Sequence, residues 1–528
     1  MHFSVPDCQE FRENGASYTG FNIHVNGIFH CTVRYRQLHS LHEQIKKDFG
    51  SAAAQLPAFP SKKILPLSGS QLEERRVQLE KYIQAVMILK HLNQGKLNVN
   101  NQRATFCMSN IFECGKVLQE KGTHHVGQEP ILCNSELFNA FLSIAQQETS
   151  GLVVENTSID VFLMNGYKIS LNIQTNERSD HILEKVCEKL DLPDEYTYYF
   201  ALFLIKQEDD SDVTIIRRLQ DFESPYISQQ SIKCQSKIVL RKSYWDSGYD
   251  LELMTHKVSL NLLYIQTVSD IQNGWVLCSQ ETRNTLANLQ SRGAKKQYLE
   301  LARTLKYYGF LQFRPCVCDY PYPGSKVLVS AGNKELNLRV KLTEGDDMRQ
   351  GSFKVTRMRC WRITTLYSDD PKNPESSNLE LSFEYLMAKD KLQWITISSE
   401  QAILMSICLQ SMVDELLLKK SGVRRKTIAP VKSNNWSYIK RDGSSQTIKS
   451  VSQFGSGSEL SSSSGQNGRG SSDSVMDGHG QVYPSHKVDA KSMKRLSDKF
   501  QSVGFNNNAK SLVKNECFDN DGIGDDDL

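Results

Sequence analysis

The chain has 528 residues, and 63 Lys or Arg residues against 60 Asp or Glu residues leave a formal net charge of only +3. This length predicts several domains, and a charge so near zero argues against nucleic-acid binding through the overall field of the protein. The 13 cysteines show no paired zinc spacing, the N-terminus has no signal-peptide pattern, and no apolar run reaches the roughly 20 residues of a membrane span. We therefore expect a cytosolic protein with free thiols.

The N-terminal region begins with a predicted hairpin followed by two helices. The alternating segments TGFNIHV and GIFHCTVRYR flank Asn26–Gly27, which is a strong hairpin signal. Helical spacing follows in LHSLHEQIKKDFG and again in SQLEERRVQLEKYIQAVM. Three prolines between them prevent a regular element.

This order of strands, helix, proline-rich loop and helix resembles the PX (phox homology) domain, to which we assign residues 1–150. The resemblance implies binding of phosphatidylinositol 3-phosphate on endosomal membranes. Arginine suits a phosphate because its guanidinium is always charged and donates hydrogen bonds as a fork. The residues at the matching positions are Arg34, Tyr35, Arg36, Lys62 and Arg75.

The resemblance also assigns a role to each of these residues. Arg34 would hold the 3-phosphate, Tyr35 would lie against the inositol ring, Lys62 would meet the 1-phosphate, and Arg75 would meet the ring hydroxyls. Arg36 departs from the family, which usually has Ser there, so it either attracts anionic lipid nonspecifically or crowds the pocket. Taken singly, each side chain reads as a solvated surface charge, and the prediction depends on their shared order.

Residues 88–127 interrupt the PX pattern, which resumes in the predicted helix SELFNAFLSIAQQET. The insert contains Cys107, Cys114, His124 and His125, whose C-x6-C-x9-H-H spacing lacks the close ligand pair of a zinc knuckle. We therefore predict neither a metal nor a cofactor. An unstructured insertion, a retained intron and a gene-model error remain open as explanations.

Three further blocks follow the PX region. Residues 155–245 contain a hairpin around Asn165–Gly166, a helix and apolar strands, which is the order of a ubiquitin-like fold. Residues 247–316 have the spacing of a small helical bundle. Residues 318–421 are strands closed by one long helix, as in PTB/PH-like domains. Lobes in this order resemble the F1, F2 and F3 lobes of a FERM domain, and a PX domain before them characterises a subfamily of the sorting nexins.

Residues 351–365, GSFKVTRMRCWRITT, are predicted to form one strand with an exposed edge or face. An exposed strand can accept a peptide as an additional strand. The alternative is an ordinary amphipathic strand with Trp361 in the core. One face would carry Val355, Arg357, Arg359, Trp361 and Ile363.

The resemblance implies that this strand binds NPxY or NxxY sequences in the tails of transmembrane receptors. Cargoes of this kind are the low-density-lipoprotein receptor family, integrin beta tails and amyloid precursor protein. We expect apolar contacts from Met358 and Trp361, and charge contacts from Arg357 and Arg359. The complete matching run is Arg357, Met358, Arg359, Cys360 and Trp361.

Residues 422–528 are rich in Ser and Gly and are predicted to be a disordered tail. The chain ends in the acidic sequence FDNDGIGDDDL. In the family this terminus engages the Retriever recycling complex, whereas without the resemblance it would read as a solvated acidic tail. The matching residues are Phe518, Ile523, Asp525, Asp526, Asp527 and Leu528.

The chain contains no GxxxxGK[ST], GxSxG or HExxH motif in a suitable context, so we do not expect an enzyme. Two alternatives are a FERM-type scaffold linking membranes to the cytoskeleton and a GTPase-binding adaptor. The interpretation we favour is a monomeric cargo adaptor without nucleic-acid ligands. It would lie on the cytosolic face of early endosomes and divert receptors from lysosomal degradation to the plasma membrane.

Overall fold

The computed structural model describes residues 2–13, 16–54, 56–63, 67–94, 136–207, 213–232, 234–341, 348–367, 377–389, 391–420, 436–448, 511–515 and 517–518. In these ranges, no helix is long and apolar enough to cross a membrane. The candidate zinc residues Cys107, Cys114, His124 and His125 lie outside them. So do Ile523, Asp525, Asp526, Asp527 and Leu528.

The N-terminal region packs an antiparallel four-stranded sheet against helices. The predicted hairpin is present, and Asn26 and Gly27 have positive φ angles of 54° and 78°. Such angles suit Asn and Gly, which accounts for the tight turn. The elements are β1 (Phe3–Ser4), β2 (Cys8–Glu13), β3 (Ala16–Val25), β4 (Ile28–Arg34), α1 (Tyr35–Ala53), α2 (Gly69–Gln94) and α3 (Glu136–Ser150).

The second helix of this region is longer than predicted. Sequence analysis begins an insertion at residue 88, yet α2 continues to Gln94. The additional residues, ILKHLNQ, contain neither Gly nor Pro and include good helix formers, so nothing in them ends the helix.

The next region is a five-stranded sheet in the order β6-β5-β9-β7-β8, with β5 and β9 parallel. This central parallel pair is the arrangement expected of a ubiquitin-like fold. The alternating residues Ile169, Leu171 and Ile173 of β6 all face the core. The elements are β5 (Asn156–Phe162), β6 (Lys168–Gln174), α4 (Ser179–Lys189), α5 (Asp194–Thr197), β7 (Phe200–Gln207), β8 (Val213–Arg218), α6 (Pro225–Gln230) and β9 (Lys237–Lys242).

Helices form the third region. Its last helix ends earlier than the predicted helical spacing, because Tyr307 and Gly309 adopt positive φ angles of 66° and 75° and lead the chain into a strand. The elements are α7 (Asp250–Leu253), α8 (Lys257–Gln272), α9 (Gln280–Ser291) and α10 (Lys295–Ala302).

The fourth region is an antiparallel sheet covered by one long helix. The helix is buried along one side, where residues such as Met405, Leu409 and Met412 contact the sheet. The elements are β10 (Leu311–Gln312), β11 (Cys316–Cys318), β12 (Ser325–Gly332), β13 (Glu335–Lys341), β14 (Met348–Lys354), β15 (Met358–Tyr367), β16 (Ser377–Ala388), β17 (Lys391–Ser398) and α11 (Ala402–Lys420).

The prediction of one strand over residues 351–365 is wrong. A 3-10 turn at Val355–Arg357 separates β14, which pairs with β13, from β15, which pairs with β16. The chain must leave one half of the sheet for the other at this point. The turn and the irregular pairing near Met358 also break the alternation, so Met358, Cys360 and Trp361 are all buried.

Two stretches of the C-terminal region form strands, although sequence analysis predicts disorder for residues 422–528. The strands β18 (Trp436–Ile439) and β19 (Ser445–Ile448) form a hairpin, and β20 (Ser511–Lys514) joins the fourth region beside β15. These stretches are ordered because they bury side chains against earlier domains. Trp436 and Tyr438, for example, lie in the core of the N-terminal region.

The N-terminal region and the ubiquitin-like region share a core around Phe222. Its ring lies 6.4 Å from that of Phe3 and 5.3 Å from that of His30 between ring centroids. Burial lowers the pKa of His30 to about 4, so the ring is neutral at pH 7 and donates from Nε2 to the carbonyl of Leu142 at 3.1 Å. Gln146 adds a polar bond, since its Oε1 accepts from the backbone N–H of Ser224 at 2.8 Å.

We expect Phe222→Ala to weaken this shared core. Truncating a buried Phe costs about 3–5 kcal/mol, so the first unfolding transition in urea should move to a lower concentration and include the N-terminal region. The matched control is Phe29→Ala, because Phe29 is 42% exposed. Equal shifts for the two variants would show that Phe222 does not join the regions energetically.

Candidate lipid-binding and peptide-binding sites

The predicted lipid residues meet where β4 runs into α1. Arg34 ends the strand, and Tyr35 and Arg36 begin the helix. The Arg34 guanidinium lies 3.9 Å above the ring of Tyr18. Stacking of this kind holds a guanidinium in place while its edge remains able to donate hydrogen bonds.

A second stacked pair brings Arg75 to the same junction. Its guanidinium lies 4.3 Å from the centre of the Tyr35 ring, and its Nη2 donates to the carbonyl of Ser61 at 2.9 Å. The Tyr35 hydroxyl donates to the carbonyl of Pro60 at 2.6 Å. The structure therefore assembles Tyr35, Arg75 and the loop before Lys62, while the Lys62 side chain itself is exposed.

The guanidinium groups of Arg34 and Arg36 already have an acceptor. Both donate to the backbone carbonyl of Arg441, which lies in the turn of the β18–β19 hairpin; the distance from Arg34 Nη1 is 2.8 Å. Sequence analysis did not anticipate this contact. The signal available was Asp442–Gly443, a common hairpin turn, after the alternating aromatic residues Trp436 and Tyr438.

The predicted peptide-binding strand also has a partner from the C-terminal region. Antiparallel pairing places β20 along β15, with Cys360 opposite Lys514 and Ile363 opposite Ser511. The next residue, Asn515, donates from Nδ2 to the carbonyls of Val355 and Met358, both at 2.7 Å. These carbonyls belong to the 3-10 turn and its end, and the Val355 carbonyl also accepts from the backbone N–H of Met358.

Asn515 also begins a turn. Its Oδ1 accepts from the N–H of Cys517 at 2.9 Å, which is an Asx-turn hydrogen bond, and its carbonyl accepts from the N–H of Phe518 at 3.3 Å. The Cys517 thiol points to α11 and donates to the carbonyl of Val413 at 3.8 Å. The segment therefore lies between β15 and α11. Its Asn-x-x-Phe pattern, close to NxxY, was a signal that sequence analysis missed.

The predicted apolar contacts Met358 and Trp361 lie in the core while this segment is in place. Both are 0% exposed, and Trp361 Nε1 donates to Ser406 Oγ on α11 at 3.0 Å. The indole thus connects β15 to α11 and supports the strand from within. Cys360 is also buried, and burial raises the pKa of its thiol.

The two predicted charge contacts differ in exposure. The Arg359 side chain is 51% exposed and forms an ion pair with Glu384, to which its Nε donates at 2.5 Å. Arg357 lies in the 3-10 turn and is partly exposed. Arg357 therefore lies just before β15 and Arg359 near its start.

Models of known families cover most of the described chain. The PX domain model matches residues 21–97. The sorting nexin 17/27/31 FERM F1 lobe matches residues 157–245, and the sorting nexin 17/31 FERM F2 lobe matches 246–306. The sorting nexin 17 FERM C-terminal domain matches 309–417. The predicted fold, a PX domain followed by the three lobes of a FERM module, is thereby confirmed.

Solved FERM structures and several sorting nexins are similar to large parts of this chain. The FERM and C-terminal domain complex of Drosophila Merlin aligns with 50% of this chain and 98% of its own at 12% identity, with a TM-score of 0.35. Human sorting nexin-31 is 33% identical over 79% of this chain and 86% of its own length. Sorting nexin-17 is 47% identical in Danio rerio and 45% in Homo sapiens, each over 85% of this chain and 88% of the relative. Identity at this level over nearly the full length of both proteins, together with PX and FERM family matches, means that the chain belongs to the sorting nexins, in the PX–FERM group that contains sorting nexin-17.

Proposed function

We propose that this protein is an endosomal cargo adaptor that binds phosphatidylinositol 3-phosphate through its PX domain and NPxY or NxxY receptor tails through its F3 lobe. It then passes the receptors to the Retriever complex for recycling. The observation that carries the proposal is the Asn-x-x-Phe segment of the chain itself, bound along β15. PX and FERM modules act by binding, and the family identity makes the chain an adaptor rather than an enzyme.

The contacts of Asn515 account for the Asn of the proposed motif. Its carboxamide donates to two backbone carbonyls and accepts one backbone N–H at the same time. An Asp at this position would bring a carboxylate against the carbonyls of Val355 and Met358, and Ala would remove the side-chain donor from both. A receptor tail with Asn at the turn can reproduce every one of these bonds.

Pairing with β15 explains how different receptors can share one site. The hydrogen bonds of an added strand come from the peptide backbone and are therefore largely independent of its side chains. Specificity then comes from the Asn turn and from the space beside α11, where Cys517 and Phe518 follow it. A tail ending in Tyr would place its ring where this chain has Phe518.

The lipid proposal is supported by the pair of stacked arginines. Arg34 on Tyr18 and Arg75 on Tyr35 are held by ring contacts, and a preorganised guanidinium loses less entropy when it binds a phosphate. Arg36 lies beside Arg34 and donates to the same carbonyl. We therefore propose that Arg36 adds charge to the pocket rather than crowding it.

Binding to a lipid and to a receptor tail is proposed to be cooperative at the membrane. A receptor tail is confined to the same surface as the lipid, so binding one raises the effective concentration of the other. The acidic terminus, whose Leu528 and aspartates are the proposed Retriever contacts, follows the β15-bound segment directly in sequence. Phe518, also proposed as a Retriever contact, is the last described residue of that segment.

We predict that Asn515→Ala strengthens the binding of an NPxY receptor-tail peptide to the full chain. Loss of three buried hydrogen bonds weakens the internal segment by about 3 kcal/mol. This corresponds to a gain in peptide affinity of up to about 150-fold, measured by fluorescence anisotropy titration. Asn288→Ala, on an exposed helical face, is the control and should leave the affinity unchanged. A peptide with its own Asn replaced by Ala should bind to neither variant; if it binds as well as the parent peptide, β15 is not the site.

Arg34→Ala should abolish binding to vesicles that contain phosphatidylinositol 3-phosphate and should leave the protein diffuse in cells, because the phosphate loses its fixed donor. Arg283→Ala removes the same charge from an exposed position of the F2 lobe and serves as the control. Vesicle flotation and imaging of endosomal puncta provide the two measurements. Puncta that persist in the Arg34 variant at wild-type intensity would contradict the lipid assignment.

Deletion of Leu528 tests the recycling terminus. We expect lipid and peptide binding in vitro to remain at wild-type levels, because the deletion leaves β15 and the PX pocket intact. Surface biotinylation should show the receptor moving from recycling to lysosomal degradation. The matched control is deletion of Leu528 with a leucine restored at the new terminus by Asp527→Leu. Normal recycling by the Leu528 deletion would eliminate the proposed role of the terminus.

A further inference from the structure

The β18–β19 hairpin supplies an acceptor to the same guanidinium groups that a bound phosphate would need as donors. The carbonyl of Arg441 accepts from Arg34 Nη1 at 2.8 Å and also from Arg36 Nη2. The carbonyl of Lys440 lies 3.4 Å from Arg36 Nη2. Because a guanidinium binds a phosphate through these same N–H groups, the hairpin and a phosphate make competing demands on Arg34 and Arg36.

The side chain of Arg441 donates its hydrogen bonds to the PX domain. Its Nη2 donates to the carbonyl of Thr32 at 2.6 Å and to Thr149 Oγ1 at 2.5 Å. Its backbone N–H donates to Glu148 Oε1 at 2.6 Å. These bonds attach the turn to the PX domain and commit the Arg441 cation to that role, so the hairpin brings an acceptor to the pocket without adding a cation for a phosphate.

The strand β18 is attached just as specifically. The Tyr438 side chain is 1% exposed; its hydroxyl donates to Glu148 Oε2 at 2.8 Å and accepts from Gln37 Nε2 at 2.9 Å. Gln44 forms two bonds to the backbone of Ser437, one to its N–H at 3.0 Å and one to its carbonyl at 2.7 Å. Such a set of contacts is a built docking site for one segment of this chain.

The turn and the second strand are, by contrast, exposed. Residues 442–447 are open to solvent, and β19 pairs only with β18 among the described strands. A two-stranded hairpin is at best marginally stable by itself. The docked hairpin therefore depends on its contacts with the PX domain. A ligand that binds Arg34 and Arg36 removes part of those contacts.

We propose that residues 436–448 are an internal cap of the lipid pocket, and that the cap and a phosphoinositide headgroup exclude each other. This inference rests on the lipid-binding function proposed above and adds its regulation. A cap docked in about nine molecules of ten weakens the apparent lipid affinity about tenfold, because only the uncapped fraction can bind.

Two substitutions release the cap through different contacts. Gly443 has a φ of 97°, which a β-branched residue strongly disfavours, and a Cβ there would lie 3.0 Å from Arg36 Nη1, so Gly443→Val disrupts the turn. Arg441→Ala removes the bonds to Thr32 and Thr149. The control is Gln446→Ala, which changes an exposed side chain of the same hairpin.

The test measures binding of the full-length protein to phosphatidylcholine vesicles with and without phosphatidylinositol 3-phosphate. We expect Gly443→Val and Arg441→Ala each to bind the phosphoinositide vesicles about tenfold more tightly than wild type, with the control unchanged. Adding Arg34→Ala to each variant should abolish this binding. In the wild-type protein, hydrogen–deuterium exchange of residues 436–448 should be slow in solution and should become fast on the phosphoinositide vesicles.

The possible results distinguish failure of the cap proposal from failure of the lipid-binding function. If wild type and both cap variants bind the phosphoinositide vesicles with equal affinity, and binding still requires Arg34, the cap proposal is overturned and the lipid-binding function stands. Hairpin amides that stay protected on the vesicles would do the same, and this readout needs no substitution. If no variant binds the phosphoinositide in an Arg34-dependent manner, the lipid function is wrong and the cap is overturned with it.

Discussion

The strand β15 has hydrogen-bonding groups on both of its edges, and among the described residues of the F3 lobe only β16 pairs with it. Unpaired backbone groups at a partly buried edge are costly, so this edge requires another strand. The carbonyls of Val355 and Met358, in and after the 3-10 turn, lie beside this edge and accept from Asn515. The segment around Asn515 pairs with Cys360 to Ile363 and donates to both carbonyls, which is why the lobe is suited to an extended peptide that ends in an Asn turn.

The PX pocket also requires a hydrogen-bonding partner, but there the groups concerned are guanidinium donors instead of carbonyl acceptors. Arg34 and Arg36 hold charged N–H groups beside the junction of β4 and α1, and the carbonyl of Arg441 accepts from both. Segments of the C-terminal region thus meet the hydrogen-bonding needs of both candidate sites. Because an attached segment acts at an effective concentration of about millimolar, any external ligand has to compete with it.

The shared core around Phe222 gives these sites a common frame. Phe222, His30 and Gln146 join the PX domain to the F1 lobe through buried ring and hydrogen-bond contacts. A PX domain that is fixed to the FERM module presents its candidate lipid pocket in a constant relation to the F1 lobe. This arrangement suits the proposed adaptor, which would meet a lipid and a receptor tail on one membrane surface.

The amino-acid sequence by itself determined the order of domains, the two Asn–Gly hairpins and the strands with alternating burial, because periodicity and turn residues act over a few neighbours. It also indicated that Arg34 and Tyr35 lie together, since they are adjacent at a strand-to-helix boundary. Only the tertiary structure decided that Trp361 supports β15 from the core, that a turn divides residues 351–365, and that Asn515 and Arg441 occupy the candidate sites. The contacts of Asn515 and Arg441 join residues 157 to 407 positions apart, and no local sequence pattern specifies such a partner. The partner is determined by the backbone carbonyls and guanidinium groups that the folded domains leave at their surfaces.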